Sequence, residues 1–181
     1  MKNPVAILAC AAALLAAGCA TYSWKSSVPA EMRTVAVPVF ENRTNFSEMG
    51  PVATQYVLRE FQREGTFQIK RAGAAAVEVQ GAITKVTRNG VNYDRGYGMR
   101  AAEYRLFVEA TVSLVDKTSG KVLLNNRPYT AETTFLTQGD LLTGQRNASF
   151  RIAQDLARQI VDDVLAYPYD KQDPAVQGVQ K

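Results

Sequence analysis

From Ala102 to Asp116 the chain alternates with a period of two. Tyr104, Leu106, Val108, Ala110, Val112 and Leu114 fall on one side; Glu103, Arg105, Glu109, Thr111 and Ser113 fall on the other. That pattern is a β-strand with one buried and one polar face. Fifteen residues at about 3.3 Å each reach on the order of 50 Å, whereas ordinary strands hold about 3–10 residues. Part of this strand must therefore project beyond the core of its own domain. Phe107 breaks the pattern, an aromatic side chain on the polar face. Either a loop covers it or it contacts something outside the chain.

The remaining elements follow from the same kind of pattern. Thr34–Phe40 is β-branched and apolar, with Pro38 placing it at a sheet edge or near a strand end. Glu41–Asn45 is a loop. A helix runs from Ser47 or Pro51 to Glu64, with Val52, Ala53, Tyr56, Val57 and Phe61 on one face and Gly65 as its stop. Phe67–Lys70 is a short strand. Val77–Ile83 alternates and continues towards Val86, and the basic stretch Lys85–Arg105 reads as a loop leading into the long strand. Lys117–Lys121 is a hairpin turn with Gly120 at the position that needs positive φ. The strand resumes at Val122, is interrupted at Arg127-Pro128 by a bulge, and continues through Phe135. After a loop, Asn147–Leu165 carries Ala148, Ile152, Leu156, Ile160 and Val164 near every fourth place, and Pro168 ends it. Its acids Asp155, Asp162 and Asp163 read as the wet face.

The order β-α-β-β-β-β-α lacks the repeated β–α alternation of a doubly wound sheet. The expected class is α+β, with two helices packed on one face of a mainly antiparallel or mixed sheet of about four strands. Residues 34–169 make up that domain. Lys171–Lys181 is poor in large apolar side chains, so 170–181 is expected to be a disordered tail.

Composition removes several kinds of chemistry. The chain has no histidine, which excludes Ser-His-Asp and Cys-His catalysis and histidine metal sites. Gly96-Tyr97-Gly98 lacks the third glycine and the βαβ setting of a dinucleotide loop. No pair of carboxylates is marked out for acid–base work. The expectation is a protein that is not an enzyme and carries no metal or cofactor.

The N-terminus reads as an export signal. Lys2 precedes the apolar run Val5–Ala17, which is shorter than the roughly 20 residues a spanning helix needs. It ends Leu15-Ala16-Ala17-Gly18-Cys19, which resembles the lipobox of bacterial lipoproteins. Cys10 would leave an h-region of only a few residues. The resemblance implies that 1–18 is removed and that Cys19 takes the lipid, with 19–33 as a linker. Three acyl chains hold firmly where one alone binds marginally. Ala20 stands where Asp would signal inner-membrane retention. The outer membrane, on its periplasmic side, is the expected location. Trp24 either packs on the domain or sits at the membrane interface.

Charge is unevenly spread. The formal net charge of the whole chain is +4, and loss of Lys2 with the signal leaves +3. This is too little to argue for nucleic acid on charge alone. Yet Lys85–Arg105 holds Lys85, Arg88, Arg95, Arg100 and Arg105 against Asp94 and Glu103, five cations to two acids, interleaved with Gly90, Gly96, Gly98, Tyr93 and Tyr97. Arginine forks grip phosphate in a bidentate manner. A basic stretch far from a lipid tether points to a phosphate-bearing periplasmic partner such as lipopolysaccharide; the plainer reading is a solvated turn.

These features together resemble the lipopolysaccharide-assembly lipoprotein family LptE. The resemblance lies in Gly18-Cys19 followed by Tyr22 and Trp24, in Thr34–Phe40 leading to Glu41-Asn42, and in Gly81-Ala82-Ile83 leading to Arg88-Asn89-Gly90. It is best at Ala102-Glu103-Tyr104 through Glu109-Ala110-Thr111-Val112. It implies a protein that sits in the lumen of the outer-membrane barrel LptD, as plug and assembly factor, and binds lipopolysaccharide on its way to the outer leaflet. It implies lipopolysaccharide-binding side chains at Arg88, Arg95, Arg100 and Arg146, with the choice between Arg95 and Arg100 open because Val91–Met99 is longer than in the enterobacterial type. Phe107 would face the barrel wall. A periplasmic scaffold or secretion-pore accessory lipoprotein is the alternative that Thr34–Asn42 leaves open.

Overall fold

The computed structural model describes residues 28–94, 100–136 and 140–169, with the side chains of Asp94 and Arg100 excepted. The long strand exists and is longer still. β4 (Val77–Asp94), β5 (Arg100–Asp116) and β6 (Val122–Leu136) form an antiparallel ladder that is the spine of the molecule. Val77, Asp116 and Val122 lie at its base; Asp94, Arg100 and Leu136 lie at its tip. Lys85 and Arg88 are therefore ladder residues and not loop residues, a correction to the expectation from the glycine-rich sequence. The turn at 117–120 closes as expected, with Gly120 at φ 74°.

The strand count also needs correcting. Of the expected first strand only Thr34–Ala36 forms, as β1; the chain leaves the sheet at Pro38, and β2 (Glu41–Asn42) forms in the stretch expected to be loop. With β3 (Gln68–Ile69) the sheet has six strands among the described residues, in the order β3-β1-β4-β5-β6, with β2 also pairing β4. β3 runs parallel to β1, and β1 and β2 run parallel to β4. The sheet is thus mixed, and β5 alone runs from tip to base. Proline cannot donate to a ladder, and the chain steps outward between the two pieces. There the amide of Phe40 is satisfied by Thr54 Oγ1 at 2.8 Å.

Helices α1 (Met49–Glu64) and α2 (Leu141–Ala166) cover one face. Gly65 ends α1 in the left-handed region, φ 80°, its amide returning to Phe61 O at 3.1 Å. α2 begins six residues before the expected Asn147. Asp140 caps it, accepting from the amides of Leu142 (3.0 Å) and Thr143 (3.2 Å). The core lies between helices and sheet: Val57 and Phe61 of α1, Ile152, Leu156 and Ile160 of α2, and Val79, Ile83, Leu106, Val108, Ala110 and Leu114 of the sheet. Asp163 is not simply wet: its carboxylate accepts from Tyr129 Oη at 2.9 Å and pairs with Arg127 Nε at 2.8 Å. Among the described residues, no helix is long and apolar enough to cross a membrane.

Register shifts redirect side chains along the ladder, at Ile83/Lys85, Gly90/Asn92 and Asn92/Tyr93 between β4 and β5, and on either side of Leu114 between β5 and β6. β4 carries a bulge between Ile83 and Lys85, so the inward parity changes from Val79 and Ile83 to Val86, Arg88 and Gly90. On β6 a shift falls opposite Leu114, next to Asn126, which adopts φ 44°. The interruption expected at Arg127-Pro128 is absent: both residues pair with β5, opposite Val112 and Thr111, and the irregularity falls just before them.

Candidate functional site

The inward register of the ladder outruns the helices. Below, it supplies Val79, Ile83, Val108 and Leu106 to the core. Towards the tip the next inward position of β4 after Val86 is Arg88, opposite Leu106. α1 and α2 begin at this level, and an open cleft of about 700 Å³ forms between them and the ladder. Its walls are the 45–49 segment (Asn45, Phe46, Ser47, Glu48, Met49) and the start of α2 (Asp140, Leu142, Thr143, Gln145, Arg146, Ser149), with Arg88 reaching in from β4.

The 45–49 wall is held by short-range bonds. Asn42 Nδ2 donates to Phe46 O at 2.6 Å, its Oδ1 accepts from the amide and hydroxyl of Thr44, and the amide of Arg43 reaches Ile83 O at 3.0 Å. Side chains that bond their own backbone a few residues away favour such turns over strand or helix. The other wall is rigid because Asp140 caps α2. The hydroxyl of Thr143 and then the amides of Leu142 and Thr143 hold the Asp140 carboxyl below the usual carboxylate range.

The cleft is amphipathic. Leu142 is 71% exposed within it, and the half-buried Phe46 adds apolar surface, with the buried Met49 in the lining. Its charges are Arg88 and Arg146 against Glu48 and Asp140. Both helices start here and run away from it, so two positive macrodipole ends meet at the cleft. Asp140 caps one of them, and Glu48 stands at the N-cap position of the other. The anion-binding character of the cleft therefore rests on its two guanidinium groups, which suit a phosphate. Among the described residues no cluster of His, Cys, Asp and Glu could hold a metal ion.

Of the four arginines named from the sequence, Arg88 and Arg146 are brought into one cleft although 58 positions separate them (146 less 88). Arg146 lies in the second turn of α2, not in a loop before it. Arg100 pairs with Asp94 at the end of the ladder, and its side chain is outside the described residues, as are Arg95 and Cys19. Phe107 sits on the sheet face opposite the helices, half-buried, between Thr87 and Glu132, with Lys85 Nζ 6.0 Å from its ring centroid. Sequence reasoning missed Gln145, Tyr104 and the 45–49 wall. The parity change from Ile83 to Val86 was the one available signal that Arg88 would turn inward.

Comparison with known proteins agrees with this architecture. The family model described as lipopolysaccharide-assembly, LptE, matches residues 32–165. Among solved structures, a Caulobacter crescentus protein is similar over 76% of this chain and 92% of its own, at 16% identity and a TM-score of 0.53. A Xanthomonas campestris protein is similar over 79% and 91%, at 11% identity and a TM-score of 0.53. One from Chlamydia trachomatis covers 76% and 98%, at 13% identity and a TM-score of 0.51. At these identities the likeness is one of fold. No curated protein matches in sequence.

Proposed function

Because the chain belongs to the lipopolysaccharide-assembly family LptE, we propose that it is an outer-membrane lipoprotein, tethered through Cys19, that plugs and helps assemble an LptD-like β-barrel and binds lipopolysaccharide in transit to the outer leaflet. The role is assembly and binding rather than catalysis. The observation that carries the binding half of this reading is the cleft, where Arg88, Arg146 and the starts of both helices converge on one open volume. A phosphate of lipid A or the inner core would sit against the guanidinium groups, and Phe46, Met49 and Leu142 would border its apolar part.

The geometry of the tether supports the reading. Eight residues lie between Cys19 and Val28, so the two are at most about 30 Å apart. Val28 stands just ahead of β1, which starts at the base, and its carbonyl accepts from Arg33 Nε at 3.1 Å. Arg88 lies eleven positions beyond Val77 along β4, about 35 Å from that base. With the base of the sheet turned towards the membrane, the cleft would stand well away from the surface on which the lipid sits, as a ligand site within a barrel lumen requires. Arg95 and Arg100, the latter pairing with Asp94 through its backbone at the end of the ladder, are kept as further proposed lipopolysaccharide contacts.

The test is a pull-down of tagged full-length protein from outer membranes in mild detergent. A stoichiometric large β-barrel with lipopolysaccharide in the eluate is expected, and the paired substitution Arg88→Ala/Arg146→Ala should lose lipopolysaccharide while retaining the barrel. Recovery of the protein alone, or as a homo-oligomer without the barrel, overturns the plug reading. Unchanged lipopolysaccharide in the double variant overturns the cleft as its site.

A further inference from the structure

Arg88 is held in an unusual way for a surface arginine. Its Nη1 donates to Oε1 of Gln145, and its guanidinium carbon lies 5.6 Å from the centroid of the Tyr104 ring. Tyr104 stacks on Phe135, centroids 5.8 Å apart and planes 19° from parallel. Phe135 in turn lies against Gly144, where an added Cβ would stand 2.8 Å from Phe135 Cδ2 and 2.9 Å from Leu136 O. Gly144 is the neighbour of Gln145. The contacts thus form a closed circuit through β4, β5, β6 and the first turn of α2.

Every member that touches Arg88 is neutral. Among the described residues, the cations in ion pairs are Arg43, Arg63, Lys117, Arg127 and Arg158. Arg88 is not one of them. Guanidinium is a donor only, so the acceptor on Gln145 is its amide oxygen. A π face and an amide oxygen fix the direction of the fork without cancelling its charge. A carboxylate in the same place would hold it more firmly through a charge-assisted bond, but would neutralise it.

We infer that Gln145 is a positioning residue that aims Arg88 into the cleft while leaving its positive charge free for the phosphate of the ligand. The inference rests on the anion-binding reading of the cleft and adds the device that sets its selectivity. It makes position 145 a control point: the amide presents a charged, oriented fork, alanine a charged but loose one, glutamate an oriented but neutralised one.

That ordering is what a purely structural role does not give. Full-length protein in detergent is titrated with purified lipopolysaccharide at low and high salt, alongside thermal melts of each variant. Gln145→Ala should bind about twofold to threefold more weakly, with its salt dependence kept. Gln145→Glu should bind about fivefold more weakly or worse, with a shallower salt dependence, since an exposed ion pair of that kind competes with the ligand for one charge. In the Arg88→Ala background, Gln145→Glu should have much less effect than in the wild type, which separates its action on Arg88 from any loss of folding. If Gln145→Glu binds as tightly as wild type or tighter while Arg88→Ala binds weakly, the neutral-tether inference is overturned and the cleft reading stands. If Arg88→Ala itself binds as wild type does, the anion-binding reading of the cleft falls with it.

Discussion

The joint between β1 and β2 can be tested by adding one methyl group. Gly81 sits on β4 beneath the ring of Phe40, and a Cβ there would lie 2.5 Å from Phe40 Cδ2 and Cζ. Carbon atoms at rest stand about 3.5–4.0 Å apart, so Gly81→Ala asks the ring to retreat by about 1 Å. The ring has little freedom to do so. Phe40 is buried, its amide is tied to Thr54 Oγ1, and its carbonyl is close enough to Gly50 that a Cβ there would stand 2.6 Å away. Thr54 is itself fixed, its hydroxyl donating to Gly50 O at 2.8 Å. With the backbone pinned on both sides, the cost belongs at the upper end of the overpacking range, about 3 kcal/mol. For a domain of this size that is a fall of roughly 10 °C in Tm.

Melts of full-length protein in detergent, followed by circular dichroism, would read this directly. Phe40→Leu removes ring atoms at the point of collision. The pair Gly81→Ala/Phe40→Leu should therefore be more stable than the two single costs add up to, by about 1–2 kcal/mol of coupling. Gly73 is the control: nothing lies within 4 Å of its Cβ position, and its φ of 89° alone should cost about 1 kcal/mol in Gly73→Ala. A Gly81→Ala protein as stable as wild type, or strict additivity with Phe40→Leu, would refute the packing argument. The joint bears on function because β2 leads straight into the 45–49 wall of the cleft, so the same variant should also weaken lipopolysaccharide capture.

Two further outcomes are expected. Phe107→Glu places a charge on the sheet face opposite the helices and should reduce recovery of the barrel at least severalfold with little change in Tm; equal recovery would remove Phe107 from the barrel contact. Tyr129→Phe deletes the bond to Asp163 and should cost about 1 kcal/mol. Burial first, and then Asp163, hold the Tyr129 phenol above the ordinary tyrosine range. A group whose folded pKa is raised stabilises fully below its unfolded value, so this contribution is present below about pH 10 and lost as pH rises beyond it. Tyr129→Phe should flatten that alkaline limb of a stability–pH profile, and an unchanged limb would refute the assignment.

Much of this fold is legible in local pattern, because a two-residue or 3.6-residue period is a local property. β5 is readable from its alternation, α1 from its apolar face and Gly65, the 117–120 turn from Gly120. What local pattern hides is pairing. Lys85–Asp94 looks like a loop because Asn89-Gly90 and a run of charges interrupt its apolar sequence, yet the ladder to β5 extends it through Asp94. Tertiary pairing overrides weak β-propensity here. Glu41-Asn42 becomes a strand for the same reason, by lying alongside Ala82 and Ile83. α2 starts early because the carboxylate of Asp140 accepts from the two amides ahead of it, Leu142 and Thr143, a capping signal that outweighs the polar composition of Thr143–Asn147. Arg88 and Arg146 carry no mark in the sequence that joins them. Their meeting depends on a bulge at Ile83 and on the helix start at Leu141, neither of which is a periodic feature.

The position of the cleft then follows from topology. β1, β2, β3, β4 and β6 all run from base to tip, and only β5 descends. Each helix follows an ascending strand: α1 follows β2 and α2 follows β6. A helix that must return along the sheet from an ascending strand begins near the tip. Both N-termini are thus forced to the same end, at the carboxyl ends of the strands that precede them, which is where open sheets with helical crossovers place their ligand sites. Had the helices formed an up-down pair, one C-terminal dipole would sit beside Arg88 and cancel the field of the other. The direction of β1 also brings the chain into the sheet at the base, so the start of β1, beside Val77, and Arg88 are eleven positions apart along β4. On β4 the apolar inward positions end at Val86, and the next one is Arg88, while β5 and β6 carry the apolar face one step further with Tyr104 and Phe135.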